Sequence, residues 1–501
     1  MSVALLKSNA ALNQHKIPYD VLWLDIELTD GKRYFTWEPI HFSSPTSMQE
    51  NLSIVGRKVV TIVDPHIKID PAYYVHSKAE SLGYYVKDEY GDDFHGWCWP
   101  GDSSYLDFMS HQVRCCWALL FRYETYAGST SSLYTWNDMN EPSEWSIENG
   151  TICMDSIARK RLRKDNRSFF AGSQTFRCHL EWREFSEMGN LKYTTMVLLS
   201  MLSAGLTFVG ADIGGFFGNP DTDLLTRWFQ AVAYQPFFRG HAYHDSVRRE
   251  PWVFGEPHTS HIRSAIRERY SLLPQLYTLF YIYEILQQED AFLLGSDLLI
   301  HPVVELGITS ISVFLASHSF WSSVFQYIDR TYSGLSTRWS FGTRKRRLRR
   351  ISALMLHDPV SVLITLDANV SAKGQLYLND ERTFAYKLSN RFTLVHLECT
   401  MSMVQLFVSA NGYGSSIWVE RIEIYAFGAL YKVPTNILRA FEAVSALISA
   451  KTNVKEDDME SGVSYQQLDF TYDPDLDQLV VWKPALKLHE VWKLQFHYGD
   501  R

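Results

Sequence analysis

Four aspartates in this chain each stand at the end of a short apolar run. Tyr19 to Leu24 leads into Asp25, Val59 to Val63 into Asp64, Ser132 to Trp136 into Asn137-Asp138, and Leu206 to Val209 into Gly210-Ala211-Asp212. Runs of this length rich in Val, Leu, Ile, Tyr and Trp are strand material, and strands that end in acids hold charge at the rim of a sheet. Paired carboxylates on such a rim suit glycosyl transfer to water: one attacks or stabilises the anomeric carbon, the other handles the leaving-group proton. Glu141 follows Asp138 by three positions, and Trp97 and Trp99 in Gly96-Trp97-Cys98-Trp99-Pro100-Gly101 offer indoles for the C–H face of a sugar. Plainer roles compete, since Asp138 and Glu141 would also cap a following helix and a Trp pair is as often core. Three further strand-end aspartates weigh toward one shared carboxylate-lined pocket. Asp64-Pro65-His66 and His241-Ala242-Tyr243-His244 contain donors for a zinc hydrolase. No His-x-His follows a first strand, however, so neither a metal nor a cofactor is expected, and His241 is read as a neutral hydrogen-bond donor to a ligand hydroxyl or a satisfied rim histidine.

The elements that must hold these residues divide the chain by texture. Between Ile17 and Val304 apolar strands alternate with helical stretches, including an apolar stripe at Leu224, Leu225, Trp228, Phe229 and Val232 and a helix-patterned run from His258 to Leu286 around Pro274. Such alternation predicts a parallel α/β sheet. After Leu306 the runs become short and β-rich, as in Ile311 to Leu315, Val360 to Thr365, Gln375 to Tyr377 and Trp418 to Ile424, which predicts antiparallel sandwich strands. The expected organisation is a catalytic region over 1–305, a proximal β-rich domain over 306–400 and a distal one over 401–501. The basic run Arg344-Lys345-Arg346-Arg347-Leu348-Arg349-Arg350 reads as a solvated linker. Met1 to Lys16 reads as a short amphipathic helix without the apolar core of a signal peptide. At 501 residues, with 46% hydrophobic and 14% aromatic side chains, the chain has material for large cores. A net charge of -8 argues against nucleic-acid binding, and no run approaches the roughly eighteen apolar residues of a membrane span. Six cysteines include no Cys-x-x-Cys pair, so neither a zinc ribbon nor a disulfide framework is indicated.

Five segments, in order, carry a resemblance. Asp25-Ile26-Glu27 with Gly31-Lys32-Arg33-Tyr34-Phe35-Thr36-Trp37, Trp136-Asn137-Asp138-Met139-Asn140-Glu141-Pro142, Arg167-Ser168-Phe169-Phe170-Ala171-Gly172-Ser173-Gln174, Gly210-Ala211-Asp212-Ile213-Gly214-Gly215-Phe216 and Gln235-Pro236-Phe237-Phe238-Arg239-Gly240-His241 resemble the motif set of glycoside hydrolase family 31, nearest its neutral α-glucosidases. The resemblance implies a (β/α)8 TIM-type barrel followed by C-terminal β-sandwich-like domains, and retaining hydrolysis of terminal α-linked glucose from glycans or oligosaccharides. It implies Asp138 as nucleophile, with Asp25, Arg167, Asp212 and His241 on the hydroxyls of the sugar being cleaved and Trp99 in the pocket wall. It also implies a non-catalytic β subunit as partner and the endoplasmic reticulum as compartment, with the cytoplasm expected if the short N-terminus is taken as it stands.

The family's acid/base aspartate lies between the Phe-Ala-Gly-Ser-Gln and Gly-Ala-Asp motifs, and counting from either side places Arg183 there. An arginine stays protonated throughout the working range and cannot serve, which leaves Glu181 and Glu184 as the nearest substitutes. Against that pattern the family's preceding β-sandwich, its first barrel strand and the barrel strand after Leu286 are expected to be absent. An incomplete barrel is therefore expected, with unpaired edges. The alternatives to an active glucosidase are a catalytically inactive carbohydrate-binding or regulatory relative and a non-functional partial gene product.

Overall fold

The computed structural model describes residues 3–88, 90–139, 179–180, 186–203, 208–282, 292–294, 298–302, 321–326, 332–337, 340–347, 349–366, 370–425, 433–441 and 464–498. The chain divides into two compact units, Met1–Phe176 and Arg177–Arg501.

The first unit is built around strands β1 (Val21–Leu24), β2 (Lys58–Val63), β3 (His66–Lys68), β4 (Gly96–Cys98), β5 (Gly101–Tyr105) and β6 (Leu133–Asn137). β1, β2 and β6 form a parallel sheet with β2 in the centre, in a register that pairs Leu24 with Thr61 and Val63 with Asn137. All three strands therefore end on the same edge. β2 is buried on both faces, as a parallel strand covered on two sides must be. Val59 packs with Leu28, Phe42, Met48 and Leu52, while Ile62 and Val63 join a larger cluster with Tyr34, Phe35, Tyr73 and Tyr126. β3, β5 and β4 make a separate antiparallel sheet beyond the end of β2. The N-terminal helix, Val3–Gln14, presents Asn9 and Asn13 to the buried guanidinium of Arg57, with Nη2 donating to Asn13 at 2.7 Å.

In the second unit, β7 (His179–Leu180) and β8 (Val209–Gly210) pair in parallel, and the segment through Phe237 to Arg239 runs beside β8. Phe237 N donates to Val209 O and Ile213 N to Arg239 O, both at 3.0 Å. No closed barrel is assembled by the described strands of either unit. The predicted apolar stripe becomes the helix Thr222–Val232, buried from Leu224 to Val232 and capped by Asp221, whose side chain accepts from Leu224 N. His258–Ile282 is a single helix with Pro274 inside it.

The β-rich texture of the C-terminal part takes the form of an eleven-stranded sheet running from Ser340–Arg344 to Trp492–His497. Val360–Thr365, Ala372–Leu378 and Trp418–Tyr425 contain the three predicted runs that lie among the described residues, whereas Ile311 to Leu315 falls outside them. Most pairs are antiparallel, but Ser340–Arg344 and Val360–Thr365 each also take a parallel neighbour. Strands from both ends of the sheet, carrying Ile437 and Leu494 on one side and Leu479 and Val481 on the other, contribute to one buried cluster, so its halves face each other.

The basic run is not a solvated linker. Arg344 and Lys345 are buried; Arg344 pairs with Glu268 at 2.9 Å, and Lys345 Nζ donates to Leu356 O. Arg346 reaches Glu423 at 2.8 Å, Arg347 reaches Glu420 at 3.0 Å and Arg349 reaches Asp358 at 2.5 Å. Charge along a sequence carries no record of acids far away in the chain, which is why the run read as free.

Candidate functional site

The first unit places Asp25, Asp64 and Asp138 at the shared end of β1, β2 and β6, each in a different state. Asp25 begins the single turn Ile26–Leu28, and its Oδ1 accepts from Ile26 N at 2.7 Å. Asp138 is half-buried; its own N donates to Val63 O at 3.1 Å, and its Oδ1 accepts from Met139 N at 2.9 Å. With adjacent strands about 4.8 Å apart, the ends of β1 and β6 are separated by about 10 Å. Met139 is buried with φ at +51°, a left-handed conformation that costs a side-chain-bearing residue energy. Strain of this kind clusters at functional sites, which draws attention to the acid beside it.

Asp64 does not stand on the rim. It is 1% exposed, and its Oδ2 takes the hydroxyl of Tyr34. That hydroxyl lies 3.0 Å from His66 Nε2, whose ring meets Cys98 Sγ at 3.4 Å through Nδ1. Burial pushes the His66 imidazole down to about 3, while burial and the Asp64 carboxylate push the Tyr34 phenol up. The expectation of four acids lining one pocket therefore fails at Asp64, which satisfies a buried network instead of facing a ligand. The phenol of Tyr34 comes from another segment and gave no warning, whereas His66 stands only two positions on, where the sequence offers it as a metal donor. Trp99 is partly buried against the aromatic cluster of Tyr34 and Phe35, and its carbonyl accepts Lys32 Nζ at 3.0 Å.

In the second unit Asp212 and Arg239 form a buried pair, with Nε donating to Oδ1 at 3.0 Å and Nη2 to Oδ2 at 3.3 Å. The fork geometry fixes both planes. Gly210 is required two residues earlier, because a Cβ there would sit 2.3 Å from Phe237 O. Two arginines that the sequence reading passed over hold the flanking backbone. Arg269 donates to the carbonyls of Ala233 at 3.1 Å, Gln235 at 2.5 Å and Pro236 at 2.8 Å, and Arg249 to those of Gly214, Gly215 and Gly218. Arg249 in Arg248-Arg249-Glu250-Pro251 gave no signal beyond its charge. His241 lies against Phe216, with ring centroids 5.5 Å apart. Burial first, then the Arg239 and Arg249 cations, push it down to about 2, so its ring is neutral at ordinary pH and able to donate from one nitrogen and accept at the other. Arg167, Arg183, Glu141, Glu181 and Glu184 lie outside the described residues.

Residues 4–279 match the model of the glycosyl hydrolases family 31 TIM-barrel domain. A neutral alpha-glucosidase AB from Dictyostelium discoideum is 38% identical across 95% of this chain and 55% of its own. Among solved structures, a glucosidase II alpha subunit with alpha3-Glc2 bound aligns with a TM-score of 0.85 at 28% identity, covering 98% of this chain and 60% of that one. The catalytic subunit in a complex described as ER glucosidase II with the binding domain of its regulatory subunit aligns with the same score at 29% identity and the same coverage. The chain spans about half the length of the curated relatives it matches. Strand-end acids, a strained residue after Asp138, a fork-bonded Asp212 and a family match over residues 4–279 point the same way: the chain belongs to glycosyl hydrolase family 31.

Proposed function

We propose that this chain carries the catalytic region of an α-glucosidase, within residues 1–305, that hydrolyses terminal α-linked glucose with retention. The observation that carries the reading is Asp138, a half-buried carboxylate at the end of a parallel strand, followed by a strained residue and bonded to that residue's amide. A nucleophile needs an ionised oxygen presented at a fixed angle, and a strand end provides the angle. Asp138 attacks the anomeric carbon as the glycosidic C–O bond breaks and the aglycone oxygen leaves with a proton, and water then displaces the carboxylate from the β-glucosyl ester to give α-glucose; Asp25, Trp99, Arg167, Asp212 and His241 contact the glucosyl residue, as the matching motif positions imply. No described helix is long and apolar enough to cross a membrane. The partner proposed is the binding domain of a regulatory subunit, after the named glucosidase II complex, and the compartment proposed is the endoplasmic reticulum.

Incubation with a fluorinated glucosyl trapping reagent, followed by peptide mass spectrometry, tests the assignment. A label on Asp138 supports it; a label on Glu141, or none in folded protein, overturns it. Arg183 at the acid/base position favours a second reading, in which sugar binds without turnover of natural glucosides. General acid catalysis contributes about 10² to 10⁴-fold, so alkoxide-leaving substrates should then be slow while glucosyl fluoride still esterifies Asp138.

A further inference from the structure

Asp212 is followed by a loop, Ile213 to Asn219, that also touches His241 through Phe216 and whose backbone is unusually committed. All five carbonyls from Gly214 to Gly218 accept hydrogen bonds. Arg249 Nη1 serves Gly214 at 2.9 Å and Gly215 at 2.6 Å, and Nη2 serves Gly218 at 2.6 Å. Ser186 Oγ serves Gly214 at 2.6 Å and Phe217 at 2.8 Å, and Tyr243 N serves Phe216 at 2.9 Å. Gly214, Gly215 and Gly218 have φ of +89°, +75° and +79°, conformations that glycine enters without penalty and that turn these carbonyls inward. Space is tight as well, since a Cβ on Gly214 would lie 3.0 Å from both Arg249 Nη1 and Leu225 Cδ1.

We propose that Arg249 is a positioning residue for the sugar-binding pair Asp212 and His241, acting by gathering the loop's carbonyls onto one guanidinium. Among the described hydrogen bonds, Gly215 O and Gly218 O are held by Arg249 alone. The loop begins one residue after Asp212, and its Phe216 both bonds to Tyr243 N and lies against the His241 ring. Tightening the loop thus sets the two ligand-facing groups together. Arg249 touches neither the reacting atoms nor, in this reading, the sugar. A lysine in its place is a point charge on a flexible stem and cannot spread planar donors over three carbonyls.

The inference rests on the reading of Asp212 and His241 as sugar-binding groups, and the test separates the two. The chain and its Arg249→Met and Arg249→Lys variants are titrated calorimetrically with a glucose-configured iminosugar, and amide hydrogen exchange is followed over Ile213 to Asn219 and over the helix Thr222–Val232. Arg249→Met should weaken binding about 100-fold, the scale of an ångström of misplacement. Exchange should rise over the loop while the helix keeps its protection, and Arg249→Lys should fall between. Equal binding in Arg249→Met, or loosening that runs equally through the helix, overturns the proposal. Should Arg249→Met fail to fold, Arg249→Lys decides by the same two readouts. If the parent chain binds no iminosugar, the functional reading falls. Exchange confined to the loop then still supports the clamp, and unchanged exchange overturns it.

Discussion

The two units hold their candidate sugar-contacting acids by opposite means. In the first, Asp138 and Asp25 each accept the amide of the next residue, so the bond that orients the carboxylate is as local as a helix cap. In the second, Asp212 is gripped through both oxygens by Arg239, which is itself buried and accepts from Ile213 N at its carbonyl. A group that must attack cannot have both oxygens bound to a guanidinium, whereas a group that only orients a hydroxyl gains from being immobilised. On this criterion Asp212 is poorly suited to attack, whereas the local bonds at Asp25 and Asp138 do not by themselves tell those two acids apart.

The comparison breaks most readily at Arg239. Arg239→Met leaves the Asp212 carboxylate buried beside an apolar chain, and loss of one partner of a buried pair costs about 3–5 kcal/mol, measurable in the urea midpoint. A loss under about 1 kcal/mol would mean that water already reaches the pair. A second break comes from pH. His66 and His241 fold neutral, near 3 and 2, whereas an unfolded histidine titrates near 6.5. Between about pH 6.5 and 3 the unfolded chain binds more protons, so stability is complete above that window and falls as pH drops through it, by about 1.4 kcal/mol per pH unit for each histidine. His66→Gln should flatten the slope by one such share, read from urea midpoints at pH 7 to 4.5; an unaltered slope would mean that His66 is protonated in the fold. Tyr34→Phe removes the donor to buried Asp64 and should cost about 1–3 kcal/mol. Smallest of all is Asp138→Asn, which keeps the bond from Met139 N and should shift stability by less than about 0.5 kcal/mol. It should nonetheless abolish covalent trapping. A stability change as large as that of Arg239→Met would erase the distinction between the two acids.

Much of this was legible because strands leave local signatures. The runs ending at Asp25, Asp64 and Asp138 are apolar for the length of a strand, and their parallel pairing follows from the helical stretches between them. The stripe from Leu224 to Val232 needed only its period. What stayed hidden depended on partners distant in sequence. Asp64 looked equivalent to Asp25 until Tyr34 came to it from another segment. The basic run looked solvated because Glu420 and Glu423 lie on a strand more than seventy positions away. Arg249 and Arg269 act on carbonyls, which are the same for every residue type and leave no trace in the side-chain pattern.

The order of strands in the large sheet has a consequence for how the protein is made. Val360–Thr365 lies beside Trp418–Tyr425, which pairs in turn with Gln478–Lys487, and Met403–Asn411 is flanked by Trp492–His497. A ribosome delivers these partners in the wrong order. Central strands emerge with an empty neighbour that is filled only after residue 497 has been synthesised, so the sheet cannot close as it is translated. Long-range pairing of this kind is slow and exposes strand edges meanwhile. Removing the last fifty residues would strip Trp418–Tyr425 and Met403–Asn411 of a neighbour each while leaving every strand-end acid in place.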